Sequence, residues 1–324
     1  MKKRMSKAIK IPLFLLLGAV GVLVTLTILN ALMTGIEKSS YKVPGKLVEV
    51  SGKKIHVYTV GNGTTNVVLL SGLGTAFPLL DFQGLVRELQ SKVRVTLLEY
   101  PGYGLSDDTD ASRSTATSVA EIRTALREAQ ILPPYILVPH SISGLQSLYY
   151  ANKYPQEIAG IVGLDSSVPE QANYFQMPTQ SFNFYKWLRV LGIIRVAFAF
   201  DPSLSAANSI GLSPAEVTEY NKVTNWVAGS HAVFNESNEI NANMKFLADT
   251  KFPPDLPVVL TLSSESATRI GSGIPGTAWK AIHEKLVDNN PKAKVVVLEG
   301  DHYIHHKNAG KIANLIVEVA GINK

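Results

Sequence analysis

Residues 135–150 read YILVPHSISGLQSLYY. An apolar strand-like run, 135–140, passes into His140-Ser141-Ile142-Ser143-Gly144 with no polar loop between, and helix-forming residues follow at once to about 153. A serine at such a strand-to-helix corner has its hydroxyl lifted above the sheet. It also lies at a helix N-terminus, where free backbone N–H groups and the helix dipole favour an oxyanion. The neighbours two positions away must be small to fit a sharp turn; here they are Pro139 and Ser143. Proline fits if its missing N–H faces no partner strand.

The same alternation extends outward in both directions. Upstream, LVEV (47–50) and KIHVYTV (54–60) flank Ser51-Gly52-Lys53, a hairpin signal, and NVVLLSG (66–72) and VRVTLLEY (93–100) are continuous apolar runs. Helical periodicity covers 79–91 and 114–130 between and after them. Downstream, IAGIVGLDSS (158–167), PVVLTLSS (257–264) and AKVVVLEG (293–300) continue the strands, with helices predicted at about 276–289 and 307–320. Two antiparallel opening strands followed by repeated strand–helix units predict an α/β domain: a mostly parallel eight-stranded sheet with helices on both faces. The alternation breaks over 168–250, which predicts a helical cap inserted after strand 6 between core segments 46–167 and 251–324. Phe175, Phe182, Phe184, Tyr185, Trp187, Phe198, Phe200, Trp226 and Phe234 fall in this insertion. They read as the cap's own core, with a minority lining an apolar pocket.

The 324-residue chain has no cysteine, is 46% hydrophobic and 18% charged, and carries a formal net charge of +5. Absence of cysteine excludes a disulfide framework, an iron–sulfur cluster, a thiolate zinc site and a cysteine nucleophile. The excess charge sits in residues 1–10, on Lys2, Lys3, Arg4, Lys7 and Lys10; the remainder balances. No nucleic-acid-binding surface is therefore expected. Residues 11–36 contain no charge, and 26 helical residues reach about 39 Å, more than the ~30 Å hydrocarbon core of a bilayer. This predicts a transmembrane signal anchor over 11–36, with 1–10 as a basic cytoplasmic flank, 37–45 as a linker and the remaining domain extracytoplasmic. A cleaved signal peptide is the competing reading; its apolar region is shorter and ends in a small-x-small site, for which Ala31, Met33 and Gly35 are poor candidates.

Four strand ends carry motifs. Ser71-Gly72-Leu73-Gly74 follows the third strand, Glu99-Tyr100-Pro101-Gly102-Tyr103-Gly104-Leu105-Ser106 the fourth, His140-Ser141-Ile142-Ser143-Gly144 the fifth and Gly300-Asp301-His302-Tyr303-Ile304-His305 the eighth. In this order the chain over about 46–320 resembles the α/β-hydrolase superfamily, in its cap-bearing esterase, lipase and aminopeptidase-like branch. The departures are Ser71 for the histidine of the oxyanion-loop His-Gly motif, Pro139 and Ser143 for glycines, and Ser266 where an aspartate is expected. The resemblance implies Ser141 as nucleophile, His302 as general base and the backbone N–H groups of Leu73 and Ile142 as an oxyanion hole. Chemically, a serine hydroxyl at its free pKa is a poor nucleophile, and an imidazole must take and return its proton.

For the acid that orients the imidazole, Asp165, at the end of the sixth strand, is the first candidate, and Glu265, after the seventh, the alternative; Asp301 also stands nearby. Gly72, His140 and His305 are candidates for substrate contact. No cofactor is expected: Gly102-x-Gly104 lacks the third glycine of a dinucleotide turn, and no Walker-type sequence occurs. His302, His305 and His306 are close in sequence, but no neighbouring carboxylate cluster suggests a metal. The expected function is a membrane-anchored serine hydrolase cleaving a small-molecule carboxylic ester through an acyl-enzyme. Amidase or aminopeptidase-type hydrolysis, and an inactive hydrolase-fold binding module, are the alternatives.

Overall fold

The computed structural model describes residues 7–268 and 276–322. Lys2, Lys3 and Arg4 of the expected basic flank lie outside the described residues. Eight strands, β1 (Lys46–Val50), β2 (Lys53–Val60), β3 (Asn66–Leu70), β4 (Arg94–Leu98), β5 (Tyr135–Pro139), β6 (Ile158–Leu164), β7 (Val258–Ser263) and β8 (Ala293–Leu298), form one sheet in the order β1-β2-β4-β3-β5-β6-β7-β8. β1 pairs antiparallel with β2, and β2 antiparallel with β4; every later pairing is parallel.

The helices are α1 (Lys7–Ser40), α2 (Pro78–Asp81), α3 (Gln83–Leu89), α4 (Thr115–Glu128), α5 (Ser143–Lys153), α6 (Phe184–Val190), α7 (Ile193–Phe200), α8 (Pro214–Val227), α9 (His231–Phe246), α10 (Ser264–Thr268), α11 (Gly276–Leu286) and α12 (Ile304–Val319). Side-chain alternation divides the core between the two sheet faces. Val68, Leu70 and Leu137 pack with α4, α5 and α11 on one side. Val67, Leu69, Ile136 and Val138 pack with α3 and α12 on the other. The central strands are therefore mostly apolar on both faces, the pattern of a sheet covered on both sides. Pro139 closes β5 at its edge with β3, opposite Leu70, and costs no ladder bond beyond the strand.

Several boundaries differ from expectation. The predicted helix 79–91 is two helices, α2 and α3, broken at Phe82. The final helix begins at Ile304 rather than 307, because Ile304 is a fully buried core residue, and it kinks at Asn308. The apolar N-terminal helix does not stop at 36. It continues through Glu37 to Ser40, so half of the expected 37–45 linker is helix, held by contacts with α6 and α8. This helix is long and apolar enough to cross a membrane. Segment 168–250 has no described strand and is built of α6–α9 with short 3₁₀ turns. Each of α8 and α9 starts on a serine cap, Ser213 with a full capping box and Ser230 accepting the Val233 amide.

Candidate active site

The corner after β5 is tight. Ser141 has φ of +53° and Asp165, at the end of β6, has φ of +42°. Non-glycine residues in this region carry strain that surrounding structure must hold, and such positions gather at functional sites. Around Ser141 the restraints are backbone bonds: its amide donates to the Leu164 carbonyl at 3.2 Å, and its own carbonyl accepts from Ser167 at 2.7 Å and Gly144 at 3.0 Å. Gly72, on the loop after β3, is pressed against this corner. A Cβ there would stand 2.7 Å from His140 Nδ1 and 2.9 Å from Ser141 Cβ, so only glycine lets the loop come this close.

The sequence-predicted residues Ser141, His302 and Asp165 come together from three separate strand ends. Ser141 Oγ lies 2.9 Å from His302 Nε2, and His302 Nδ1 lies 2.7 Å from Asp165 Oδ2. With its Nδ1–H given to the carboxylate, His302 presents an Nε2 lone pair to the serine hydroxyl. Asp165 is fully buried. Its Oδ2 also accepts from Ser266 Oγ at 2.6 Å, and its Oδ1 accepts from the Ser263 amide and Trp279 Nε1, each at 3.1 Å. Burial alone would raise its pKa, but the bonds from His302, Ser266 and Ser263 outweigh it and hold the carboxyl below the ordinary range. Glu265 is exposed at the start of α10, with its amide bonded to the Gly300 carbonyl; the carboxylate at His302 Nδ1 is Asp165.

Two N–H groups that the sequence nominates, those of Leu73 and Ile142, meet no backbone or side-chain acceptor among the described residues. Their loops are tied together. Ser143 Oγ donates to the Ser71 carbonyl at 2.5 Å and meets the Tyr100 hydroxyl at 2.8 Å, all in the buried interior. A third tie comes from the cap: the Gly74 amide donates to the Tyr103 hydroxyl at 3.1 Å, and that hydroxyl donates to Glu236 of α9.

His140 and His305 depart from expectation. Neither reaches substrate space. His140 is fully buried, its Nε2–H donates to the His302 carbonyl at 3.0 Å, and its ring packs 4.8 Å from the rings of His302 and Tyr303. Burial beside His305 and His302 pushes its pKa well down, so it is a neutral ring underpinning the His302 backbone. His305 is 1% exposed, stacked on Phe82 and bonded to Asp81 at 2.9 Å. Asp81 also receives His306 at 3.0 Å. The carboxylate that receives both rings, Asp81, lies more than two hundred residues away in sequence, and only the fold brings it to them. Asp81, His305 and His306 offer three ligand atoms within 4.8 Å of one another, but hydrogen bonds already satisfy both carboxylate oxygens.

Tyr303, not singled out in the sequence, occupies the place expected for His305. With Leu73, Gly74 and Thr75 it forms the floor of a cavity of about 700 Å³ roofed by cap residues including Ile194, Phe198 and Phe234. The partners of Trp279, Ser266, Tyr103 and Glu236 leave no signal in the sequence, since each bond joins residues distant along the chain.

The profile of the family described as alpha/beta hydrolase fold matches residues 65–197. The Bacillus subtilis (strain 168) protein YbdG is 35% identical over 171 residues, 52% of each chain. A 2-hydroxy-6-oxononadienedioate/2-hydroxy-6-oxononatrienedioate hydrolase of Escherichia coli (strain K12) is 29% identical over 137 residues, 41% of this chain and 48% of that one. The chain thus spans about half the length of these curated relatives. Among solved structures, the epoxide hydrolase VrEH1 of Vigna radiata superposes with a TM-score of 0.62 at 20% identity, covering 85% of this chain and 97% of that one. A thermophilic esterase from Thermogutta terrifontis gives 0.57 at 13%, covering 87% and 98%. By sheet order, by the sharp corner after β5 and by the match over residues 65–197, the chain has the α/β-hydrolase fold.

Proposed function

We propose that the protein is a serine hydrolase that cleaves a carboxylic ester through an acyl-enzyme. The observation that carries the reading is the unbroken line Ser141 Oγ, His302, Asp165, with spacings of 2.9 and 2.7 Å. In this reading His302 takes the Ser141 proton as Oγ attacks the ester carbonyl, then returns it to the departing alcohol. Water repeats the step and releases the acid. Asp165, ionised and held by four donors, fixes the imidazole orientation and stabilises the imidazolium. The amides of Leu73 and Ile142 receive the negative charge that develops on the carbonyl oxygen. A serine rather than a carboxylate at position 141 favours acyl transfer over the alkyl-enzyme chemistry that an aspartate nucleophile performs. The apolar cavity beside Leu73 and Tyr303 favours a hydrophobic acyl or alcohol group.

The proposal includes anchoring: α1 crosses the membrane, the basic flank stays cytoplasmic and the catalytic domain faces outward. A fluorophosphonate should label the wild-type chain and leave Ser141→Ala unlabelled, with p-nitrophenyl ester hydrolysis falling on the order of 10⁶-fold in that variant. Labelling that persists in Ser141→Ala overturns the nucleophile. Absence of labelling in the wild type favours the inactive binding module.

A further inference from the structure

Several cap aromatics that the sequence assigns to a core are not in one. Phe182, Phe184, Tyr185, Trp187 and Phe200 are all exposed, Phe200 to 88%. Exposed apolar groups clustered in this way mark an interaction surface. Trp187 lies on α6, which packs against α1, and Phe200 ends α7, whose Arg195 bonds to α1. Asn30 of α1 donates to the Arg189 carbonyl at 2.9 Å and accepts from Arg195 Nε at 3.0 Å. Arg195 forks onto Glu37 at 2.7 and 3.0 Å, and Trp226 Nε1 donates to the same carboxylate at 2.9 Å. Gly192 lets the α6–α7 turn touch the helix: a Cβ there would lie 3.0 Å from Asn30 Cβ and 3.2 Å from the Leu26 carbonyl.

These contacts fix a height. Counting from Ile11, the first residue after Lys10, about 20 helical residues cross the ~30 Å hydrocarbon layer, which ends near Asn30. The cap therefore begins where the hydrocarbon ends, and the Gly192 turn, level with Leu26, reaches roughly 6 Å below that boundary by helical rise. Aromatic side chains of a cap held at this boundary meet the interface between hydrocarbon and headgroups, as interfacial belts do. The helix α7 is the partition. Ile193, Ile194, Ala197 and Phe198 line the cavity, while Phe200 is turned outward.

We propose that the cap is seated in the bilayer interface through Trp187, Phe200 and their neighbours, and that the cavity behind α7 takes the apolar chain of an ester drawn directly from the membrane. This deepens the hydrolase reading and rests on it for the bond that is cleaved. The bilayer is favoured over a second copy as the occupant because α6 and α7 are tied to α1 at the height where its membrane-crossing stretch ends.

The full chain, reconstituted in phosphatidylcholine vesicles whose acyl chains carry bromine near the carbonyl end, tests the seat by tryptophan quenching. Wild-type emission should be quenched, and Trp187→Phe should lose most of the quenchable fraction. Equal quenching in the two, or none in the wild type, overturns the proposal, as does an unquenched Trp187 in dimeric particles, which would mean a second copy covers it. For the substrate, the Trp187→Ser/Phe200→Ser double variant should hydrolyse a vesicle-embedded oleoyl ester about tenfold more slowly. Its rate on soluble p-nitrophenyl butyrate should stay unchanged. Equal effects on both substrates overturn the membrane route; failure of fluorophosphonate labelling in the wild type would instead strike the hydrolase reading.

Discussion

Ser143 and Ser266 stand at two departures from the superfamily pattern, and each makes a hydrogen bond that the usual residue would not. Ser143 ties the Ser71 carbonyl to the Tyr100 hydroxyl, linking the two loops whose amides face the proposed reaction centre. Ser266, where an aspartate is expected, donates to Asp165 instead. Asp165 ends β6 and Ser266 stands just past the neighbouring β7, so the serine supports the carboxylate that meets His302. Asp165→Asn should therefore lower kcat by about 10⁴-fold, because the amide cannot hold the imidazole in the required tautomer. Glu265→Gln should leave kcat within about twofold, since it alters an exposed side chain and none of the bonds to His302. Steady-state hydrolysis of a soluble p-nitrophenyl ester by the two variants decides the matter, and the reverse ranking would transfer the acid to Glu265.

Among the elements, α9 reaches furthest into the site without supplying a reacting group. Its Glu236 is buried, and burial raises its pKa against the opposing bond from Tyr103 and the charge of Arg113. Through Tyr103 it holds the Gly74 amide, one residue beyond Leu73. Glu236→Ala leaves a buried phenol without its acceptor and loosens this loop. We expect kcat to fall roughly tenfold with KM little changed, a fraction of the loss from deleting an oxyanion donor outright. Glu236→Gln, which keeps an acceptor, should restore most of it; a stability loss with unchanged kcat in the alanine variant would leave α9 a packing element only. Such links explain what was legible in the sequence. Strands β3, β5 and β7 were readable because burial on both faces leaves an unbroken apolar run, and the elbow was readable because its residues are contiguous. Asp81 beneath His305, Tyr103 beneath Gly74 and Trp279 beside Asp165 were not, because no periodicity relates residues joined only by the tertiary fold. The exposed cap aromatics misled for a related reason: aromatic content reports apolar surface, and the packing of α1 decides which face of the cap that surface occupies.

For the molecule as a whole, the histidines make stability depend on pH with a definite sign. His140, His283 and His305 are buried, and each has its pKa lowered chiefly by burial; His283 is lowered even though carbonyls of Trp279 and Ser166 face its two ring nitrogens. In the unfolded chain these groups take up protons as pH falls through about 6.5, while the folded chain does not. The unfolded state then binds more protons, and stability declines as pH falls. His56 opposes this. Burial lowers its pKa, but the bond and charge of Glu99 outweigh it and raise it, so its contribution is fully present below the unfolded value and is lost only as pH rises through the folded one. His56 acts only above the ordinary histidine range, so just below it the balance is the three protons of His140, His283 and His305, with a limiting slope of about 4 kcal/mol per pH unit. The carboxylates add to it at lower pH: Asp165 and Asp81 are both held below the ordinary range despite burial, and their stabilisation, present above the unfolded value, is lost as pH falls through the folded one. Guanidinium unfolding of the detergent-solubilised chain, followed by tryptophan emission at pH 7.5, 6.0 and 5.0, should show a midpoint that moves steadily to lower denaturant. A midpoint constant or rising toward pH 5 would mean that His140 and His305 accept protons in the folded state. The packed rings beneath His302 would then carry charge, and the neutral support on which its orientation depends would be lost.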